Sequence, residues 1–410
     1  MQAILGYVFI LLLAWAVSER RGDIPRRAIL AGIGLHITLA VLLLTLPAVR
    51  HVFLALNDVV HALQQATLAG TSLMFGYIGG GAAPFDITQP GNTFVLAFQA
   101  LPLVLLMSAL AALLYHWRIL PMIVQGFAWC LKRTLGVGGT AGVSTAANVF
   151  VGMVEAPLLV KPYLQKATRA NLFIVMAAGM ATIAGTVMVL YATFLKGVVA
   201  DPLGNLLIAS ILNAPAAIVI ARLMIPPEPG EAADTVRLEG LYDNSMDAVT
   251  QGASDGIRLL LNITGMVIVV VALVALLNAI LGLIPAGDAP LTLQAILGFI
   301  LAPFAWLLGI PWAEAQAAGS LLGTKVVVNE FLAYLSMGQM PKETLSEHSR
   351  LILTYALCGF ANFQGLGIML GGMAAMAPER RKDILSLGMR SILAGFLASC
   401  MTAALAGLII

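Results

Sequence analysis

The chain has 410 residues, of which 60% are hydrophobic and only 10% charged, with a formal net charge of +2. Soluble domains carry about 25% charged residues, so the composition excludes a soluble globular protein and points to a lipid bilayer. The small net charge, without basic runs interleaved with aromatics, excludes nucleic acid as a partner. Cys130, Cys358 and Cys400 lie scattered in apolar sequence, with neither disulfide arithmetic nor metal-ligand spacing, and read as small packing hydrophobes.

Taken in order, a first span runs over about Ile4 to Val17. No positive region precedes it and no small-residue cleavage site follows, so it reads as a retained span rather than a signal peptide. The loop 19–27 carries Arg20, Arg21, Arg26 and Arg27, which place it in the cytoplasm by the positive-inside rule and the N-terminus outside. A second span covers about Ile29 to Leu46, and His51 to Thr67 suits an interfacial helix on the outer surface. The glycine-rich FGYIGGGAAP at 75–84 lacks the Lys-Ser/Thr of a phosphate loop and reads as a turn. Span three is Thr93 to Tyr115, ending at His116 and Arg118 on the inside.

Residues Ile119 to Ala170 are too many for one span and too apolar for a loop. Lys132, Arg133, Lys161, Lys166 and Arg169 at the edges fit a re-entrant hairpin entered from the cytoplasm. Span four (about Leu172 to Leu195) goes out and span five (about Leu206 to Met224) returns. The hydrophilic segment 225–249 reads as a cytoplasmic connector. Span six (about Ile257 to Leu283) exits, with Asp255 and Arg258 a structural pair at its end. Ala286 to Ser349 repeats the interrupted pattern from outside; span seven (about Leu351 to Ala375) and span eight (about Ile384 to Ile410) finish the chain. The fold class is therefore an all-α polytopic membrane protein, with eight spans and two oppositely oriented re-entrant hairpins in an inverted repeat. By domains, 1–92 is N-terminal scaffold, 93–224 the first repeat with its preceding span, 225–255 a cytoplasmic loop and 256–410 the second repeat with span six.

Two apolar stretches carry a carboxylate: NVFVGMVEAP at 148–157, with Glu155, and GTKVVVNEFLAY at 323–334, with Glu330. An ionised carboxylate at membrane depth costs roughly 2.5–3.5 kcal/mol on insertion scales, so it faces protein or water rather than lipid. Gly152 and Pro157 favour a helix break that frees backbone groups for a solute. A carboxylate-bearing break in each half indicates a midplane site of a secondary transporter. The structural alternative pairs Glu155 with Lys161 and Glu330 with Lys325. No nucleophile or metal constellation suggests an enzyme, and the five histidines form no cluster.

The motifs FGY (75–77), AFQALP (97–102), NVFVGxxEAPLLVKPYL (148–164), ATIAG (181–185), GTKxxxNEFLAY (323–334) and CGFANF (358–363) resemble the concentrative nucleoside transporters in their bacterial eight-span form. The resemblance implies a homotrimer in the inner membrane that imports nucleosides with a co-transported Na+ or H+ and needs no other cofactor. Carried over by motif, Gly152, Met153, Val154 and Glu155, with Val187 opposite, would meet the base. Glu330, Asn362 and Phe360 would meet the sugar, with Gln364 and Gly365 beside them. A sodium ion would take Asn148, Val151, Thr182 and Ile183, though Thr182 bonding its own helix carbonyl is the structural alternative. The chain reads GMVEAP where the family commonly has GQTEAP, and Gly365 replaces a sugar-facing Ser, so a less polar and broader base pocket is expected. The alternatives are an ion-coupled importer of a modified nucleoside or other small polar metabolite, and a passive channel.

Overall fold

The computed structural model describes residues 2–87, 93–227, 236, 240–283 and 290–410, and every regular element among them is helical. The first apolar run forms α1 (Gln2–Ala16) and stops before the charges from Glu19 onward. α2 (Arg26–Thr45) follows, then α3 (Pro47–Phe75), started by a proline whose missing N–H is no loss at a first helical position. α3 is longer than the interfacial segment expected over 51–67. The glycine-rich segment is the expected turn: a 3-10 stretch, Gly76–Gly79, with positive φ at Gly76 and Gly80. α4 (Leu96–Gln99) and α5 (Leu103–His116) make the third span.

The first re-entrant region consists of α6 (Ile119–Leu135), α7 (Gly139–Asn148), α8 (Glu155–Leu158) and α9 (Lys161–Leu164). Its break, 149–154, directly precedes Glu155, as the Gly and Pro content predicts. Span four was expected to be continuous but is interrupted: α10 (Arg169–Ala181) ends, Thr182 is extended, and α11 (Gly185–Phe194) begins. The span-five helix, α12 (Pro202–Met224), is continuous and largely buried. Within the expected connector at 225–249, residues 228–235 and 237–239 lie outside those described, and from Ser245 onward it is already helical.

α13 (Ser245–Leu281) has 37 residues and starts well before the expected Ile257. At 1.5 Å per residue it is about 55 Å long, against a hydrocarbon core of about 30 Å. Asp255 and Arg258 therefore sit inside the helix rather than at its end, as an exposed pair at 4.0 Å. The second re-entrant region has α14 (Leu293–Leu307) and α15 (Trp312–Val327) folded back at 116°, then α16 (Glu330–Gln339) after a break at 328–329.

Span seven is also broken, into α17 (Glu347–Leu357) and α18 (Phe363–Met376), again where a continuous helix was expected. α19 (Arg381–Ile409) closes the chain. Hydropathy records composition, not backbone continuity, and the apolar residues around both unforeseen breaks hide them. Among the described residues six helices are long and apolar enough to cross a membrane; the shorter α1 and the broken α17–α18 pair stand at the two remaining expected spans.

The order interrupted hairpin, interrupted span, continuous span thus occurs twice: α6–α12 and α14–α19. The breaks pack on one another. Gly359 has φ +133, and a Cβ there would lie 2.7 and 2.8 Å from the carbonyl oxygens of Ala181 and Met180. Asn213 of α12 donates to the carbonyls of both Ala181 (2.7 Å) and Cys358 (3.1 Å), tying the broken ends of spans four and seven together.

Loops predicted to share the cytoplasmic face meet one another. The Glu19 carboxylate accepts from Arg169 (3.0 Å) and Arg390 (2.8 Å), Asp383 pairs with Arg380 (2.9 Å), and Arg20 donates to the carbonyl of Pro226 (2.6 Å). On the scaffold, a buried chain from Tyr7 to His36 (3.1 Å) to Thr402 (3.2 Å) joins α1, α2 and α19.

Two outcomes follow for stability. Gly359→Ala combines positive φ with two carbonyl contacts, a strain of about 1–3 kcal/mol, and should lower the unfolding midpoint in detergent. Gly367→Ala, with open space around it, should not. The Arg169 hydrogen bond, with the charges of Arg169, Arg390 and Arg20, holds the Glu19 carboxyl below its ordinary range. Such a carboxyl stabilises the fold fully above about pH 4.3 and loses that contribution as pH falls through its lowered folded value. Glu19→Gln should therefore lower the midpoint at pH 7 by roughly 1–2 °C, the size of about 1 kcal/mol. Thermal scans across acid pH should show the gap to wild type closing below about pH 4.

Candidate functional site

The break before α16 is built by an asparagine. Asn329 is the N-cap: its Oδ1 accepts from the N–H of Leu332 (2.9 Å), which lets the helix restart at Glu330. Asn362 does the same for α18, accepting from the N–H of Gly365 (2.6 Å). The amide nitrogens of both caps remain free to point inward. Asn362 Nδ2 donates to Glu330 Oε2 (2.7 Å), and Asn329 Nδ2 donates to Gln364 Oε1 (2.9 Å). The other Glu330 oxygen accepts from the hydroxyl of Tyr191 (2.6 Å), on α11 of the opposite repeat.

Glu330 and Asn362 are 4% and 1% exposed, so the carboxylate is enclosed and held in one orientation. The structural alternative for Glu330 is not what forms: the Lys325 ammonium donates instead to Ala356 O (2.7 Å) and Ser399 Oγ (2.8 Å). Among the described residues Glu155 has no salt bridge to Lys161 either.

These groups open into a hollow of about 770 Å³ of empty space, part of it open to the surroundings. Gly152, Met153, Val154, Glu155, Val187, Glu330, Phe360, Asn362, Gln364 and Gly365, the sequence-derived substrate set, all line this one hollow. The first re-entrant tip is wedged into it. Met153 backs onto Gly179 of α10 and Val154 onto Gly372 of α18, where added Cβ atoms would approach to 3.1 and 2.8 Å. Gly152 makes room for the Glu155 carboxylate: a Cβ there would lie 2.1 Å from Glu155 Oε2. A Cβ at Gly365 would lie 2.4 Å from Phe360 O, so a serine at 365 requires that carbonyl to shift.

The wall facing the tip is apolar, with Leu259, Ile263 and Val267 of α13 and Ile368 of α18. A second hollow, about 800 Å³, shares Gly152, Glu155, Thr186 and Leu259 with the first. It leads to the edge-on ring pair Tyr115–Tyr242, beyond which lie His116 and Arg118 of the predicted cytoplasmic side.

The sequence-derived cation set lies at the junction of two breaks. Gly185 N–H donates to Phe150 O (3.0 Å), joining the segment after Asn148 to the end of the Thr182–Ala184 break. Asn148 is buried with neither amide atom partnered. The Thr182 hydroxyl donates to Ala178 O (2.9 Å), as its structural alternative states, and Ile183 N–H donates to Ser210 Oγ (3.3 Å). The Val151 N–H is spent on Ala147 O (2.9 Å), a bond that leaves its own carbonyl uninvolved.

Sequence reading missed Tyr191, Thr186 and Phe331 as lining residues. Tyr191 carried a signal: a hydroxyl in an apolar span, one helical turn beyond Val187. For Thr186 and Phe331, no pattern in the chain distinguishes a lining residue from a packed one.

Three family models match: "Na+ dependent nucleoside transporter N-terminus" over 5–78, "Nucleoside recognition" over 97–197, and "Na+ dependent nucleoside transporter C-terminus" over 205–407. The chain is 37% identical to the transporter YutK of Bacillus subtilis over 99% of its own length and 98% of that protein. It is 33% identical to the nucleoside permease NupC of Helicobacter pylori, over 100% and 97%. Among solved structures it is similar to CNTnw in an inward-facing substrate-bound state, with TM-score 0.90, 33% identity and coverage of 100% and 97%. An outward-facing variant of CNTnw superposes with TM-score 0.92 at 33% identity, with the same coverage. With two interrupted repeats around one hollow and these matches along the whole chain, the protein belongs to the concentrative nucleoside transporter family.

Proposed function

We propose that the chain imports nucleosides across the inner membrane by alternating access, drawn by a co-transported cation. The observation that carries this reading is the Glu330 carboxylate, enclosed in a hollow shared by both repeats and fixed by Tyr191 and Asn362. An ionised carboxylate has about four acceptor positions. Two are used here, and the remaining two suit a pair of neighbouring sugar hydroxyls. Asn362 orients the carboxylate, and the Phe360 ring covers the sugar.

The base then lies at the re-entrant tip, among Gly152, Met153, Val154, Glu155 and Val187. Gln364 is engaged by Asn329 and serves to brace that cap. The cation lies at Asn148, Val151, Thr182 and Ile183, where the unpartnered Asn148 amide and the carbonyls freed at the breaks are hard oxygen donors. Tip and cation share one element, so binding of either stabilises the position the other needs. One charge falling through 100 mV supplies ~2.3 kcal/mol, enough for roughly 50-fold accumulation at 1.4 kcal/mol per tenfold. Assembly as a homotrimer belongs to the same proposal and rests on the family resemblance.

Uptake of labelled uridine into proteoliposomes under sodium, proton or no gradient tests the reading. Accumulation above equilibrium under one gradient is expected, whereas equilibration indifferent to both would make the protein a passive channel. Glu330→Gln weakens charge-assisted bonds worth about 1.5–3 kcal/mol each, so affinity should fall about 10–100-fold. Unchanged affinity would remove Glu330 from the site. The one hydrogen-bonding side chain at the tip, the Glu155 carboxylate, is an acceptor that N–H groups of purines and pyrimidines alike can meet, and the apolar remainder separates ligands by shape, by only about 10–200-fold. Wild type should therefore accept purine and pyrimidine nucleosides with similar affinity. The double change Met153→Gln with Val154→Thr should widen the gap between them, measured by competition against labelled uridine.

A further inference from the structure

Among the described residues Lys325, 0% exposed, is one of the largest fully buried side chains and has no carboxylate within 4.0 Å. Its Nζ donates to Ala356 O (2.7 Å) in the last turn of α17 and to Ser399 Oγ (2.8 Å) on α19, and lies 5.8 Å from the Phe396 ring centre. Two oxygens and an aromatic face occupy the three protons of the ammonium. The end of a helix carries partial negative charge on its unpaired carbonyls, which favours a cation there. Two further carbonyls at this end are also met by side chains: Thr354 O by the Tyr334 hydroxyl (2.8 Å) and Cys358 O by Asn213 (3.1 Å).

The same junction exists in the first repeat with different contents. There α7 packs on α10, and a serine of the following span, Ser210, accepts from the Ile183 N–H in the break after α10. α7 has no lysine, and its buried Ser144, Thr145 and Asn148 side chains have polar atoms without partners. One half of the inverted repeat thus has a built-in ammonium where the other presents unpartnered polar groups.

We propose that Lys325 is a tethered cation: it holds, at the second-repeat junction, the position that the transported cation takes at the first, and thereby limits coupling to one cation per substrate. The inference rests on the symport reading above. Lys325 is a positioning residue: it neutralises the end of α17 next to the Asn362 cap and contributes positive charge to the region of Glu330, without touching substrate. Because its side chain is covalently attached, its charge makes no net crossing of the membrane and does not add to the driving force. Removing the ammonium leaves Ala356 O and Ser399 Oγ facing a space the size of a lost amino group, which a small cation from solution can fill.

The test is nucleoside uptake by the full chain in proteoliposomes, titrated with Na+ at fixed pH and with pH at fixed Na+. Wild type should show a Hill coefficient of one for its driving cation and one net charge moved per nucleoside. Lys325→Gln should need at least tenfold more cation, regain uptake when it is supplied, and show a Hill coefficient approaching two. Lys325→Arg, which keeps the charge, should stay at one. A Lys325→Gln protein with the wild-type cation curve, or one that folds but is not rescued by any cation concentration, would overturn the proposal. Should that variant not fold, the wild-type charge ratio still decides: two charges per nucleoside overturns it. Ser399→Ala, which loosens the ammonium, should raise the half-saturating cation concentration, and an unchanged value also counts against it. Wild-type uptake indifferent to both cations would sink the symport reading itself, a result distinct from an unaltered variant.

Discussion

A peptide backbone cannot be interrupted inside hydrocarbon unless each freed N–H and C=O finds a partner within the protein, because no water is there to take the bond. Among the described residues, four interruptions of re-entrant elements and spans face that constraint, and much of the interior chemistry answers it. Asn329 and Asn362 cap restarted helices, Asn213 ties two carbonyl ends together, and Lys325 and Tyr334 cover the end of α17. The capping amides have a second arm. After satisfying the backbone, Asn362 turns its nitrogen to Glu330, so the repair of a broken helix also assembles the site.

The same economy explains why the site belongs to both repeats. Glu330 stands on α16 of the second repeat, Tyr191 on α11 of the first, and Asn362 on α18 of the second. A rigid shift of either re-entrant element changes this set, which is what coupling a solute to a conformational change requires. Continuous, buried α12 gives the moving parts a common reference through Asn213 and Ser210, whereas α13 stands outside with its apolar length exposed and supplies one wall of the hollow. The hollow leading from Glu155 past Tyr115 and Tyr242 provides a direction of exit toward the cytoplasmic loops.

Two asymmetries give this member of the family its own character. Met153 and Val154 stand at the tip where relatives commonly carry polar residues, so the tip presents apolar surface beside the Glu155 carboxylate. The second asymmetry is electrostatic: an ammonium in one repeat stands against unpartnered polar groups in the other. Inverted repeats that began alike can divide the work when one half carries its own charge and the other borrows it from solution.

The chain by itself determined the membrane class, the approximate spans, which loops share a face and the two carboxylate-bearing breaks. Each follows from composition over about twenty residues or from arginines that cannot cross a bilayer. Its motifs were specific enough to name the family and the lining residues of the first tip and of Asn362. What tertiary structure alone decided is where backbone continuity fails in spans four and seven and which partner each buried polar group takes. Lys325 illustrates the difference: five residues before Glu330, it is an obvious ion-pair partner on paper, yet in space it serves a helix end and a serine. Hydropathy is a sum over neighbours in sequence, whereas a hydrogen bond depends on angles and distances between segments far apart in it, and only folding sets those.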